Sequence, residues 1–130
     1  MRRFNENPNR ESRAVQIWQI LVSKATNRQT MTYGMLAEIL GFRGAGTIGQ
    51  FLDPVMIYCR QNGLPPLTVV VVNQDSGLPG AGLPGTDLHV DRERTFNYDW
   101  FGLVPPTPEE FRAASNAGVH PEEQGGAEQA

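Results

Sequence analysis

Two short helical patterns on either side of a glycine-marked turn constrain the fold of this chain more than any other feature. The first pattern begins at Thr32, a favoured N-cap residue, and ends at Gly41, a residue typical of helix C-termini. Apolar residues give each pattern an inner side, formed by Leu36, Ile39 and Leu40 before the turn and by Ile48, Phe51 and Leu52 after it. This is the layout of a helix-turn-helix, so the chain is a candidate DNA-binding protein.

Three further elements are predicted around this unit. A longer helix is predicted over 12–25, because apolar residues recur there at helical spacing: Ala14, Ile17, Trp18, Leu21, Val22 and Ala25. Asp53 and Pro54 predict the N-cap and first position of a separate short helix that ends near Gly63. The β-branched run at 67–72 predicts a buried strand.

These elements predict a fold of the α+β class, a winged helix-turn-helix whose wing is the valine-rich strand with the loop that follows it. We expect residues 12–80 to form this mainly helical domain and residues 81–117 to form a C-terminal extension packed on it. Residues 1–11 and 118–130 are polar, and we expect both segments to be disordered.

The C-terminal half contains three patterns of its own. The sequence Gly-Leu-Pro-Gly at 77–80 recurs at 82–85 and predicts a constrained loop. Residues 95–101 alternate enough to predict a strand. The sequence Thr-Pro-Glu-Glu at 107–110 is a capping box, which predicts a last helix through about Asn116.

Composition narrows the class of protein. A chain of 130 residues that is 39% hydrophobic fits one domain. No apolar run approaches the roughly 20 residues that span a bilayer. The single cysteine, Cys59, excludes an internal disulfide and fits a reducing compartment. We therefore expect a cytoplasmic protein with no membrane partner.

The charge of the chain is unevenly distributed. Its net charge is −3, which by itself disfavours a nucleic-acid partner. Residues 1–60 carry eight basic against four acidic residues, a net +4, whereas residues 61–130 carry three against ten, a net −7. The basic half contains the predicted helix-turn-helix, although such asymmetry is also found on ordinary solvated surfaces.

Four segments agree in order and spacing with one known family: residues 15–21, residues 32–34 with 36 and 37, residues 46–49, and residues 71–73 followed by 77 and 78. They resemble the winged-helix domain of O6-alkylguanine-DNA alkyltransferases, and equally that of the alkyltransferase-like proteins, which recognise such lesions without removing the alkyl group. The resemblance covers about residues 12–80. It implies docking in the minor groove, a tyrosine that helps to rotate the lesion-side phosphate, an arginine that fills the gap left by the extruded base, and a cysteine nucleophile.

The chain departs from that family at the residues that carry its chemistry. The tyrosine is present as Tyr33, but Gly46 stands where the arginine is expected. The nucleophile position falls on Pro66 or on Thr68, depending on which neighbouring segment is aligned, and neither is a thiol. Cys59 lies in an apolar run and is expected to pack as a small hydrophobic residue. We therefore expect no alkyl transfer and no enzymatic activity.

Asp87, His89 and Asp91 are potential metal ligands, or else residues of an ordinary solvated surface. In a strand, Asp87, His89 and Asp91 would share one face and form half of a metal site. An ordinary solvated face is the stronger interpretation, because the other histidine, His120, lies in the polar tail. No nucleotide-binding or zinc-binding motif is present, so we expect neither a cofactor nor a metal.

The first functional hypothesis is a non-catalytic protein that binds duplex DNA. Its contact face consists of Arg28, Tyr33, Arg43, Thr47 and Gln50. Arg13 and Lys24 are additional candidates for phosphate contacts. An ordinary half-buried tyrosine and exposed surface polar residues are the alternatives for these positions.

Two other hypotheses use the same scaffold. The chain is alternatively a protein-interaction module, whose partner surface comprises the acidic second half, the Gly-Pro loop and the cluster of Tyr98, Trp100 and Phe101. A third, weaker hypothesis is sensing of alkylated bases, which requires a pocket behind Tyr33 lined by Val69, Val71 or nearby residues.

Overall fold

The computed structural model describes residues 1–4, 9–78 and 87–119, and the protein is mostly helical. Helix α1 (Arg10–Thr26) begins at a reciprocal capping box, in which Asn9 and Ser12 each accept the backbone N–H of the other. The six apolar residues predicted for its inner side are all buried, which confirms that face. The helix begins two residues earlier than expected, so the prediction of disorder through residue 11 is wrong for its last two residues, Arg10 and Glu11.

Helix α2 (Tyr33–Leu40) has the predicted ends. The Thr32 hydroxyl accepts the N–H of Met35 at 3.0 Å, and Gly41 closes the helix with a left-handed φ of 80°. The inner side differs from the prediction at one residue, because Ile39 is 53% exposed and Ala37 is buried in its place. At about 100° per residue, Ala37 and Ile39 lie equally far, on opposite sides, from the direction shared by the buried Leu36 and Leu40, so helical periodicity alone does not decide which of the two is buried.

Helix α3 (Ile48–Gln61) follows a 3-10 turn at Ala45–Thr47 and continues through Pro54. The prediction of a separate helix beginning at Pro54 is therefore wrong. Proline lacks the N–H that would bond the carbonyl of Gln50, four residues earlier. The Nε of Arg10 donates to that carbonyl instead, at 3.1 Å, so a side chain of α1 replaces the missing helical donor.

The valine-rich segment is buried, as expected, but only its end is a strand. Leu67–Val70 form a 3-10 helix, and β2 (Val71–Val72) pairs in parallel with β1 (Met31–Thr32), with Met31 opposite Val71. The prediction of a strand over all of 67–72 is wrong because β-branched residues favour burial, which a 3-10 helix packed on α1 and α3 also supplies. These two strands are the only sheet in the described part of the chain, and the β wing stays a prediction.

The C-terminal segment is helical where strands were predicted. Helix α4 (Leu88–Asn97) begins at Asp87, whose carboxylate accepts the N–H groups of His89 and Val90. The expected strand over 95–101 is wrong: its first residues end α4, and Trp100–Gly102 form a 3-10 turn. The second copy of the Gly-Leu-Pro-Gly repeat lies outside the described residues.

The last helix, α5 (Pro108–Val119), confirms the predicted capping box. The Thr107 hydroxyl accepts the N–H of Glu110 at 3.1 Å, and the Glu110 carboxylate accepts the N–H of Thr107 at 2.8 Å. The helix runs three residues beyond the expected end at Asn116, so disorder from residue 118 is wrong for Gly118 and Val119. Residues 120–130 lie outside the described chain.

Trp18 lies at the centre of an aromatic cluster that joins α1, α3 and the C-terminal segment. Its ring centroid is 5.8 Å from that of Tyr58, 5.6 Å from Trp100 and 6.0 Å from Phe111. Aromatic pairs at such distances add stabilisation beyond the area they bury. The residues after 87 therefore contribute to the same core as α1 and α3.

None of the helices in the described segments combines the length and apolar character needed to cross a membrane.

Candidate nucleic-acid interface

Three of the five predicted DNA contacts lie together where α3 begins. Arg43 is in the turn after α2, Thr47 is the N-cap residue of α3, and Gln50 lies in the first turn of that helix. All three side chains are exposed. We call Arg43, Thr47 and Gln50, with the adjacent helix start, the helix-turn-helix face.

The polar groups of this face are available to a ligand. Arg43 makes no hydrogen bond or ion pair with any residue that the structure describes. The Thr47 side chain makes no capping hydrogen bond, so its hydroxyl does not satisfy the first N–H groups of α3. The N–H of Ile48 is instead bonded to the Ala45 carbonyl of the preceding 3-10 turn, so it is the positive end of the helix dipole that favours an anion at this position.

Arg10 is a neighbour of this face that the sequence pattern did not identify. Its Nε contacts the Gln50 carbonyl, and its Nη2 lies 3.9 Å from an oxygen of Asp53. If a helix continues through Pro54, the sequence predicts that the Gln50 carbonyl lacks its helical N–H donor. The sequence alone does not identify Arg10 as the side chain that replaces this donor. Arg10 thus fixes the start of α1 against the first turns of α3.

Tyr33 occupies a different environment from the helix-turn-helix face. It is the first residue of α2, is half-buried and packs against the hydrophobic core. The side chain therefore has an internal packing role, while its partial exposure leaves part of the ring accessible.

Arg28 is held by α4 rather than by the helix-turn-helix. Its Nη2 lies 2.8 Å from the Glu93 carboxylate, its Nη1 donates to Asn97 at 3.1 Å, and its guanidinium lies over the Phe96 ring at 5.1 Å. The Arg28 hydrogen bond lowers the pKa of the Glu93 carboxyl, so this pair is charged at neutral pH. A DNA phosphate must therefore compete with Glu93 for Arg28.

Arg13 likewise has structural contacts. Its Nη1 donates to the Leu40 carbonyl at 3.1 Å and to Gln16 at 2.9 Å, and its guanidinium lies over the Phe42 ring at 5.0 Å. These contacts connect α1 to the C-terminus of α2. Lys24, the other predicted phosphate contact, is half-buried in the last turn of α1.

Cys59 is buried in an environment that disfavours the thiolate form required of a nucleophile. The residue is 1% exposed, and burial raises the pKa of its thiol to about 12 despite an opposing backbone hydrogen bond from Leu67. Only the thiolate attacks an alkyl group, and at neutral pH this thiol stays protonated. Thr68, one of the two positions aligned with the family nucleophile, is also buried.

The half metal site, the alternative to a solvated strand face, is not assembled, and the strand that both interpretations assume is absent. Asp87, His89 and Asp91 lie at the start of a helix rather than in a strand, so the alternation that would put them on one face is lost. Asp87 caps the helix, His89 is exposed and Asp91 is buried. Within residues 1–4, 9–78 and 87–119, no group of three or more potential ligands is arranged to hold a metal ion.

Comparisons of the chain with protein-family models, with curated proteins and with solved structures find no match.

Proposed function

We propose that this protein binds duplex DNA without catalysis, through the helix-turn-helix face and the accessible part of Tyr33. The observation that carries the proposal is the joint exposure of Arg43, Thr47 and Gln50 at the start of α3. A guanidinium, a hydroxyl and a side-chain amide are donors with which proteins contact phosphates and base edges.

Each group has a distinct part in the proposed complex. Arg43 contacts a backbone phosphate, and the N-terminus of α3 with the Thr47 hydroxyl contacts a second. Gln50 lies nearest to the base edges, where its amide both donates and accepts. By resemblance to the alkyltransferase-like proteins, the groove is the minor one and Tyr33 lies beside the backbone.

The acidic half of the chain leaves this face open in the described structure. Helix α5 packs on the C-terminal part of α3, where Phe111 contacts Tyr58 at 5.5 Å between ring centroids. Tyr58 is eight residues from Gln50, about 12 Å along the helix axis. The acidic residues of α5 therefore lie toward the other end of α3.

A titration of a fluorescently labelled duplex, followed by anisotropy at about 50 mM salt, tests the proposal because phosphate contacts are strongest at low salt. We expect binding by the wild-type protein, weaker binding by Arg43→Ala and a smaller loss for Tyr33→Phe. Absence of binding by the wild-type protein under these conditions would contradict the proposal.

A protein-interaction role is the second candidate, and exposed apolar residues favour it. Phe101 is 70% exposed and Val104 is 88% exposed, in the segment between α4 and α5. The cluster predicted as a partner surface is divided, because Trp100 is buried while Phe101 is not. Recovery of one stoichiometric protein by the wild-type chain, but not by Phe101→Asp, would support this function in place of DNA binding.

Sensing of alkylated bases has weaker support. Val69 and Val71, proposed as walls of a lesion pocket, are completely buried in the hydrophobic core. A competition between plain and alkylated duplexes tests this function, for which we expect no preference.

A further inference from the structure

A solvent-open cavity of about 460 Å³ lies between the first residues of the chain, α1 and the C-terminal end of α2. Its polar lining comes from Arg2, Arg3, Arg13 and Gln16, and its apolar lining includes Phe4 and Ile39. The volume lies within the range of small-molecule sites.

The lining includes three arginines and, among the residues that the structure describes, no carboxylate. Arg2 and Arg3 are exposed and have no hydrogen-bond or ion-pair partner among the described residues. A bound anion is attracted to all three positive charges and offsets their mutual repulsion. This cluster is notable in a chain whose net charge is −3.

Arg13 supplies a preorganised part of the cavity. Both of its hydrogen bonds use Nη1, which leaves its Nε and Nη2 donors for a ligand. The Phe42 ring under the guanidinium restricts its orientation. A planar, oriented guanidinium with two adjacent free donor atoms matches the geometry of a phosphate or carboxylate.

The apolar lining adds a second requirement for the ligand. Ile39 is 53% exposed on a helix whose other predicted inner residues are buried, and Phe4 is half-buried. A ligand with an anionic group at the arginines and a flat apolar group against Phe4 and Ile39 satisfies both parts of the cavity.

We infer that this cavity binds the phosphate monoester of a nucleotide, with the base against Phe4 and Ile39. A monoester carries up to two negative charges and three acceptor oxygens, which suits three guanidiniums better than a singly charged carboxylate. The monoester comes either from a free mononucleotide or from a 5′-phosphorylated strand end. The site is distinct from the helix-turn-helix face and does not depend on duplex binding there.

Isothermal titration with adenosine monophosphate, adenosine and inorganic phosphate tests the inference. We expect the monophosphate to bind at least about tenfold more tightly than adenosine, since charge-assisted hydrogen bonds to the phosphate are lost with it. Ile39→Ala should weaken binding of the monophosphate but not of inorganic phosphate. Equal binding of monophosphate and adenosine, or no heat from the monophosphate at millimolar concentrations, would overturn the inference.

Variants locate the site and separate it from duplex binding. Arg2→Ala/Arg3→Ala should weaken monophosphate binding about tenfold or more, while its circular dichroism spectrum stays that of the wild type because both residues are exposed. Arg60→Ala, which removes an exposed arginine that does not line the cavity, and Arg43→Ala should both bind within about twofold of the wild type. An unchanged affinity in the double variant would contradict the assignment of the cavity.

A comparison of strand ends identifies the source of the phosphate. Tighter binding of a 5′-phosphorylated trinucleotide than of adenosine monophosphate indicates a strand end, and the reverse order indicates a free nucleotide. If the monophosphate binds while Arg43→Ala leaves duplex affinity unchanged, the proposed helix-turn-helix face fails and the cavity stands.

Discussion

The two ends of α3 differ in almost every physical respect. At its C-terminal end, Tyr58 contacts the rings of Trp18 and Phe111, Cys59 is buried, and the Gln61 amide donates to the Ala114 carbonyl at 2.8 Å. At its N-terminal end, Thr47 and Gln50 are exposed beside Arg43, which has no hydrogen-bond or ion-pair partner among the described residues. One helix thus has one end committed to the core and the other available to a partner.

The difference separates, along one helix, the side chains that stabilise the core from the side chains that we propose bind DNA. The committed end buries large aromatic side chains, which supply much of the hydrophobic stabilisation of a chain this size. The open end also buries Ile48 and Leu52, but its exposed residues Arg43, Thr47 and Gln50 take no part in the core and can contact a ligand. Substitutions at the two ends should therefore change different measurements.

The largest expected effect is on the core end. Phe111→Ala removes a completely buried ring that contacts Trp18 and Tyr58 and should lower the free energy of unfolding by about 3–5 kcal/mol. Phe101→Ala removes the same side chain from a position that is 70% exposed, so urea unfolding should change by less than about 0.5 kcal/mol. Equal losses in the two variants would show that α5 does not share the core.

The next largest effect is a dependence of the free energy of unfolding on pH, caused by Cys59 at the same end of α3. Burial raises the pKa of Cys59 in the folded protein from 9.0 to about 12, so the folded state holds a proton that the unfolded state releases. Below pH 9 the thiol is protonated in both states and does not change the free energy of unfolding with pH. As the pH rises from 9 toward 12, the free energy of unfolding falls by at most about 1.4 kcal/mol per pH unit.

Urea unfolding between pH 8 and 10.5 measures this slope, in the wild type and in Cys59→Ala. The variant should have a shallower decline, with a remaining slope from groups such as Tyr58, whose pKa burial also raises. Parallel declines in the two proteins would show that Cys59 is not the group that titrates.

A smaller effect on the free energy of unfolding is expected at the contact between Arg10 of α1 and the Gln50 carbonyl of α3. Arg10→Ala removes the side-chain donor to the Gln50 carbonyl and should cost about 0.5–1.5 kcal/mol. In a Pro54→Ala background, residue 54 supplies the helical N–H, so the same change should cost less than half as much. A double-mutant cycle of urea unfolding measures this coupling.

Asp53→Asn is the matched control for that cycle, because it removes the 3.9 Å ion pair with Arg10 and leaves the carbonyl contact in place. It should change stability by less than about 0.5 kcal/mol. Additive effects of Arg10→Ala and Pro54→Ala would contradict the compensating role of Arg10.

The smallest expected effect is a gain at the open end. Gly46 stands where the resemblance places an arginine, and a Cβ added there meets no atom within 4 Å. Gly46→Arg should fold normally, bind duplex DNA more tightly and steepen the dependence of log affinity on log salt by about 0.9, the contribution of one phosphate contact. Anisotropy titrations at several salt concentrations measure it, and unchanged duplex binding would contradict the placement of this turn beside DNA.

The helix ends that depend only on neighbouring residues could be predicted from the sequence. The N-cap at Thr32, the left-handed Gly41 and the capping box at Thr107 act within four residues, and the structure has all three. The buried face of α1 followed from its periodicity alone. Predictions failed where long-range contacts decide the conformation.

Pro54 and the valine-rich run are two such cases. Pro54 has the sequence of a helix start, but a side chain 44 residues earlier in the chain, Arg10, allows the helix to continue through it. The β-branched residues at 67–72 predict that the segment is buried, but they do not fix its conformation. Only the residues that pair with Met31 and Thr32, namely Val71 and Val72, form a strand. Arg28 shows the same limit at the candidate site, because its partner Glu93 is distant in sequence.

The most direct test of DNA binding by the open end of α3 is the salt dependence of duplex affinity for three proteins: wild type, Arg43→Ala and Arg60→Ala. Each variant loses one exposed arginine; Arg60 lies ten residues from Gln50 along α3, about 15 Å along its axis. Between about 50 and 200 mM salt, Arg43→Ala should bind more weakly with a slope shallower by about 0.9, whereas Arg60→Ala should match the wild type. Equal losses in the two variants, or no binding by the wild type at the lowest salt, would contradict this function.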